Sequence, residues 1–108
     1  MKRAFLSHAD DNVATLLEDV AGEAVELIGA PARRIVVAAG AIPQAHKIAV
    51  RAIDPDSAVV KYGVAIGVAT RKIAEGGWVH LHNCRSQVDE RSAKFEGGTE
   101  KEGEGRYA

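Results

Sequence analysis

Ile53-Asp54-Pro55-Asp56-Ser57-Ala58-Val59 holds the fold in miniature: an aliphatic residue enters a tight turn and a valine leaves it. Pro55 presets its own φ, and the flanking Asp carboxylates can accept hydrogen bonds from nearby amides, so the chain reverses here. The same logic recurs in Ile73-Ala74-Glu75-Gly76-Gly77-Trp78-Val79. One residue shorter, it recurs again in Val20-Ala21-Gly22-Glu23-Ala24-Val25. The spacing of the copies is too irregular for a solenoid. It describes short β-ribbons folded over one another in a compact domain.

The segments between these turns agree. Residues 24–28, 33–39, 47–53, 58–62 and 78–83 are β-branched runs that predict strands. Turn-forming clusters at 29–31, 40–43, 54–56 and 76–77 separate them. One helix is expected. Asp10 and Asp11 offer N-cap oxygens, Val13, Leu16, Leu17 and Val20 fall at i, i+3, i+4 and i+7, and Gly22 supplies a stop. The expected fold class is therefore mainly β with one short helix.

Composition narrows the function classes. The chain has 108 residues, enough for one domain with one core. Lys plus Arg number 14 against 15 Asp plus Glu, which is too balanced for a nucleic-acid clamp or a polybasic membrane patch. A lone cysteine, Cys84, excludes an internal disulfide and a cysteine-rich zinc site. The apolar run behind the basic start, Ala4-Phe5-Leu6, is too short for a secretory signal, and a cytoplasmic protein is expected. Composition breaks at Cys84. Residues 1–84 are read as the domain, and residues 85–108, with 11 charged residues in 24, as a flexible Gly-rich tail. Phe95 and Tyr107 are the tail's candidate anchors on a partner.

The chemistry concentrates in Trp78-Val79-His80-Leu81-His82-Asn83. Read as a strand, this stretch turns His80 and His82 to one side and Val79 and Leu81 to the other. Two imidazoles at that spacing can ligate a metal, bind a carboxylate or move protons, or they are two exposed strand histidines. His46-Lys47 follows the turn Ile42-Pro43-Gln44-Ala45, where both polar heads can reach one side of a pocket above Ile48. Lys47 suits a carboxylate or a developing enolate. His8, with Asp10, Asp11 and Asn12, lies before the expected helix, whose free amides could hold an anion or be capped by the Asp side chains. Gly63, in Lys61-Tyr62-Gly63, allows a positive φ or a close backbone approach. No Walker loop, dinucleotide fingerprint, nucleophile elbow or HExxH helix is present, and Cys84 reads as a buried or incidental thiol.

Four stretches taken in order resemble one family. They are His8-Ala-Asp-Asp-Asn-Val-Ala-Thr, Ile42-Pro-Gln-Ala-His-Lys-Ile-Ala-Val, Lys61-Tyr-Gly-Val-Ala-Ile-Gly-Val-Ala-Thr and Gly77-Trp-Val-His-Leu-His-Asn. Their order and spacing are similar to the N-terminal domain of altronate/galactarate dehydratases, a module that is also the separate small subunit of split members of the sulfolactate sulfo-lyase type. The resemblance implies a SAF-type β-clip and a lyase that eliminates water from a sugar acid, or sulfite from sulfolactate. It further implies a large catalytic subunit as partner and a divalent metal, iron or manganese, bound by the chain or only by the complex. Carried over by position, His46 and Lys47 would be catalytic, and His80 and His82 metal ligands. His8, Asp11, Asn12, Lys61, Tyr62 and Asn83 would contact substrate. The sequence departs from the family at Ala45, where Gly is usual before His-Lys, at Ala9, where Pro is common, and at Cys84, where an aliphatic residue is usual. The alternatives are a non-catalytic SAF-type carbohydrate-binding or assembly module, and a homo-oligomer paired through exposed ribbon edges.

Overall fold

A computed structural model of the chain describes residues 1–29 and 34–86. Eleven strands are present among them: β1 (Lys2–Phe5), β2 (Val13–Leu16), β3 (Val20–Ala21), β4 (Ala24–Ile28), β5 (Arg34–Val37), β6 (Ala41–Ile42), β7 (Lys47–Ala49), β8 (Ala58–Lys61), β9 (Val64–Ala69), β10 (Trp78–Val79) and β11 (Cys84–Ser86). They form a six-stranded sheet in the order β10-β7-β2-β1-β4-β5, a three-stranded sheet β11-β9-β8 and the pair β3-β6. Only β1 and β4 run parallel; every other pairing is antiparallel.

The ribbon reading holds, and the structure shows why its turns recur. All six aliphatic ends of the three copies are buried: Val20, Val25, Ile53, Val59, Ile73 and Val79. Each turn carries one residue of positive φ, namely Gly22 (97°), Asp56 (68°) and Gly76 (87°). The turn at Ile42-Pro43-Gln44-Ala45-His46-Lys47-Ile48 is a further copy, with Ala45 at φ 73°. In the three long copies the fifth residue donates its N–H to the carbonyl of the second: His46 to Pro43 (3.2 Å), Ser57 to Asp54 (3.1 Å) and Gly77 to Ala74 (2.9 Å). That bond with a positive φ at the third turn position makes a type II turn.

Each of these turns also clamps one buried residue of a neighbouring strand. Ala45 N–H donates to the Leu16 carbonyl while Leu16 N–H donates to that of His46, both at 2.9 Å. Asp56 and Ser57 hold Ala69 in the same way (2.8 and 2.9 Å), and Gly76 and Gly77 hold Ala49 (2.8 and 2.9 Å). A Cβ built on Gly76 would stand 2.0 Å from the Val37 carbonyl oxygen, so this turn packs against β5 only because the residue is glycine.

The expected helix over residues 13–20 is absent; the segment is β2 followed by a bend and β3. The physical reason is burial on two sides. Ala14 and Leu16 enter one core with Val25, Leu27, Val36, Ile42 and Ile48, whereas Val13 enters a second core with Ala49, Ile53, Val59, Ile73 and Val79. A strand in the middle of a sheet between two cores is apolar on both faces, and its closely spaced apolar residues mimic a helical stripe. Leu17, which that stripe would bury, is exposed. Each fully buried aliphatic side chain contributes about 1.5–3 kcal/mol, so the two cores outweigh local helix preference.

The other strand expectations differ mainly in length. Residues 47–53 yield only β7, and 78–83 yield only β10 before the chain turns. The strand β11 carries the fold past Cys84, the expected domain boundary, by pairing with β9. The rest of the expected tail, with Phe95 and Tyr107, lies outside the described residues.

Candidate functional site

The residues expected at one site fall at the two ends of β2. At its C-terminal end the turn that clamps Leu16 presents His46 (Leu16 N–H to His46 carbonyl, 2.9 Å). The register of β10 against β7 (Trp78↔Ile48, Val79↔Lys47) brings Trp78 and the following residues alongside. The result is a cluster of rings about the chain's single tryptophan. His80 stacks on Trp78 (centroids 5.6 Å, 17°), and His46 and His82 meet it edge-on at 5.4 Å each. His46 and His80 are 4.9 Å apart, and His80 and His82 6.5 Å. The Trp78 indole N–H donates to His46 Nδ1 at 3.2 Å.

Residues 80–83 are a turn, not the expected strand. Asn83 closes it: its N–H donates to the His80 carbonyl (3.0 Å), its Oδ1 accepts from His80 N–H (3.0 Å) and its Nδ2 donates to the Trp78 carbonyl (2.8 Å). The side chain satisfies backbone groups that a strand would have paired. Asn83 is buried, while His80 and His82 are exposed and Leu81 projects at 59% exposure instead of packing beside Val79. The two histidines are neighbours because the turn is tight, not because strand residues alternate.

His46 and Lys47 do not share a side. Val79, opposite Lys47, enters the second core, and Ile48 enters the first, against which Trp78 packs. Strand alternation therefore sends Lys47 away from the Trp78 face. Opposite Lys47 on β2, Thr15 has a buried hydroxyl with no hydrogen-bond partner. His80 is held below the ordinary histidine value of 6.5, first by partial desolvation against its neighbours, then by the charges of His46, His82 and Lys47. Burial pushes the Cys84 thiol up from 9.0, which leaves it protonated and unreactive at neutral pH.

At the other end of β2 the polar residues build backbone. Asp11 is fully buried, and its two carboxylate oxygens accept from Tyr62 N–H (2.9 Å) and Gly63 N–H (2.8 Å). These are the central residues of the two-residue β8–β9 hairpin, at φ 59° and 72°, as a type I′ turn requires. Asn12 pairs with β8 like an added strand residue: Nδ2 donates to Ala58 O (2.9 Å), Oδ1 accepts from Val60 N–H (2.8 Å), and its own N–H donates to Val60 O (3.2 Å). His8 lies on Gly63, where an added Cβ would stand 3.2 Å from the ring, and its Nδ1 accepts from Asp10 N–H at 3.1 Å. The Lys61 ammonium sits 4.5 Å over the exposed Tyr62 ring.

Sequence reasoning named every member of the ring cluster except Trp78 as a site residue. Its signal was available: the one tryptophan, two residues before His80. Among the described residues no group of three or more His, Cys, Asp or Glu could by itself hold a metal ion. The lone pair of His46 Nδ1 is taken by the indole N–H and is not free for a metal. His80 and His82, whose rings lie 6.5 Å apart, are the ligands that the resemblance implies, and they would hold a divalent metal only together with ligands from outside the described residues. Nor, among them, is any helix long and apolar enough to cross a membrane.

Folded β-ribbons of this kind agree with the SAF-type fold that the resemblance implies, and direct comparison supports the family. The chain belongs to the altronate/galactarate dehydratase SAF domain family, which it matches over residues 2–87. It is similar to altronate dehydratase of Bacillus subtilis (strain 168), 32% identical over 83% of this chain and 18% of that protein. It is also similar to altronate dehydratase of Escherichia coli (strain K12), 37% identical over 77% of this chain and 16% of that protein. The (2R)-sulfolactate sulfo-lyase subunit alpha of Paracoccus pantotrophus is 39% identical over 43% of this chain and 69% of that protein. The chain thus spans less than a fifth of the two altronate dehydratases.

Proposed function

We propose that this SAF domain works as the small subunit of a lyase, completing the site of a separate large catalytic subunit in β-elimination from a hydroxy acid. The substrate class is a sugar acid such as altronate or galactarate, which loses water, or sulfolactate, which loses sulfite. One observation supports the reading above others: the cluster of half-buried His46 with exposed His80 and His82 around Trp78, held by backbone bonds at the end of the sheet.

Elimination needs a base for the weakly acidic proton α to the carboxylate, and donors for the enediolate that forms as the proton leaves. His80 suits the base, because an imidazole held below the usual 6.5 is unprotonated at neutral pH. It takes the α-proton, the electron pair of that C–H bond becomes the new C=C bond, and the β-substituent leaves with its own bonding pair. In dehydration the departing hydroxide takes up a proton from solvent and leaves as water, while His80 returns its proton to solvent. Lys47 supplies positive charge near this centre without touching the same face.

A non-catalytic carbohydrate-binding or assembly module is the second reading. It draws on the exposed Leu81 between the two histidines, an apolar tip suited to docking. Combining the full chain with its large partner and assaying altronate, galactarate and sulfolactate tests both. Turnover that requires this chain and is abolished by H80A supports the lyase reading. A partner fully active without the chain overturns it, and retained turnover with altered assembly in H80A favours the module.

A further inference from the structure

We infer that Trp78 is a positioning residue: its indole N–H fixes His46 as the Nε2–H tautomer, so that His46 meets substrate as a hydrogen-bond donor and not as a base. Indole nitrogen donates and cannot accept. At 3.2 Å from it, His46 Nδ1 must bring a lone pair, which leaves the ring proton on Nε2.

Both partners are held in place. The His46 peptide is fixed by its carbonyl on Leu16 and its N–H on Pro43, within the clamped type II turn. Trp78 is paired with Ile48 across β10 and β7, and its carbonyl accepts from Asn83 Nδ2. The rings meet at 78°, so the edge of the imidazole faces the indole. His80 is different. It lies flat on Trp78 at 17°, a geometry in which the in-plane indole N–H cannot reach it.

The same tryptophan therefore treats two imidazoles 4.9 Å apart unequally. One is locked with its proton outward, and the other keeps a lone pair available. A neutral imidazole N–H aimed at a carboxylate stabilises the oxyanion that grows there as the α-proton departs, while the neighbour accepts that proton. The tautomer stands on the geometry alone; its part in elimination rests on the lyase reading above.

Long-range 1H–15N correlation on the full chain at about pH 8, where ordinary histidines are neutral, reads the tautomer directly. His46 is expected to show a pyridine-type Nδ1 and a pyrrole-type Nε2. W78F keeps an aromatic ring and removes the donor, so His46 should then populate the Nδ1–H form. In the complex with the large subunit, W78F should lower kcat about tenfold with KM little changed, less than the loss of about 10²–10³-fold for removing an oriented donor outright, because the His46 ring stays. An Nδ1–H tautomer in the unaltered protein, or a His46 pattern unchanged in a folded W78F, overturns the inference. The unaltered protein decides the first point even if W78F does not fold. A complex whose turnover ignores this chain sinks the lyase reading and leaves the tautomer result intact, so the two failures are separable.

Discussion

The two ends of β2 hold similar residues put to opposite uses. At one end Asp11 and Asn12 turn inward, and their oxygens and nitrogens are taken up by the backbone of β8 and its hairpin. At the other, about 16 Å further along an extended chain, His46, His80 and His82 are carried outward on turns whose backbone bonds are satisfied without them. Motif membership alone does not separate these uses. Burial and hydrogen-bond accounting do, because a polar group already engaged in the interior cannot also meet a substrate.

The largest expected effect tests the outward end. H80A in the complex should lower turnover by about 10²–10⁴-fold, the range for losing a general base, with the thermal midpoint of the chain nearly unchanged because the side chain is exposed. A reduction below tenfold in steady-state rate would break the division of labour between the ends.

The inward end should respond in stability instead. D11A removes a buried carboxylate that accepts two backbone N–H groups, at a cost of about 3 kcal/mol for charge-assisted bonds of this kind. Urea denaturation of the full chain reads it directly. Turnover per folded molecule should hold, since the rings of the other end do not touch this hairpin. If D11A leaves stability intact and removes activity, Asp11 is a substrate contact and the comparison fails.

Acidity sharpens the same contrast. As the proposed base, His80 would work only when neutral, and desolvation with nearby positive charge holds it below 6.5. The acid limb of kcat/KM, which reports the free enzyme, should therefore lie below 6.5, with activity falling as pH drops through it. K47Q removes one of the charges that depress His80, so its limb should move up toward 6.5. A limb at or above 6.5 in the unaltered complex would argue that another group titrates.

What could be read without coordinates follows the same physics. Ribbon turns were legible where a marked residue sits in them: Pro55 in one, Gly22 and Gly76 in others. Residues 13–20 read as a helix because apolar periodicity cannot tell a strand buried on both faces from an amphipathic helix; Leu17 at the surface and Thr15 within are the discordant positions. His80 and His82 are legible by residue type, but the turn that brings them together is not, since nothing local announces that Asn83 caps it. The separation of Asp11 from His46 depends on which strands pair, and spacing along one chain does not contain that.

The fourth turn is legible as a turn but not as a copy of the other three, for a reason that makes the smallest and most specific prediction. Its left-handed position is filled by Ala45, which sends no turn signal, whereas the equivalent positions hold Asp56 and Gly76. An L-residue with a Cβ at φ 73° costs about 1–2 kcal/mol relative to a relaxed backbone, while glycine gives back about 0.4–1 kcal/mol through its freer unfolded chain. A45G should thus stabilise the protein by about 0.5–1 kcal/mol, the difference of those terms, read as a raised urea midpoint at constant m-value. The clamp on Leu16 uses only backbone atoms of Ala45 and His46 and survives the change. His46 should keep its bond to Trp78, so the tautomer pattern and turnover of the complex stay as they were. Loss of stability would show that Ala45 makes a packing contribution larger than its strain; altered turnover at unchanged stability would show that the strain itself aims His46.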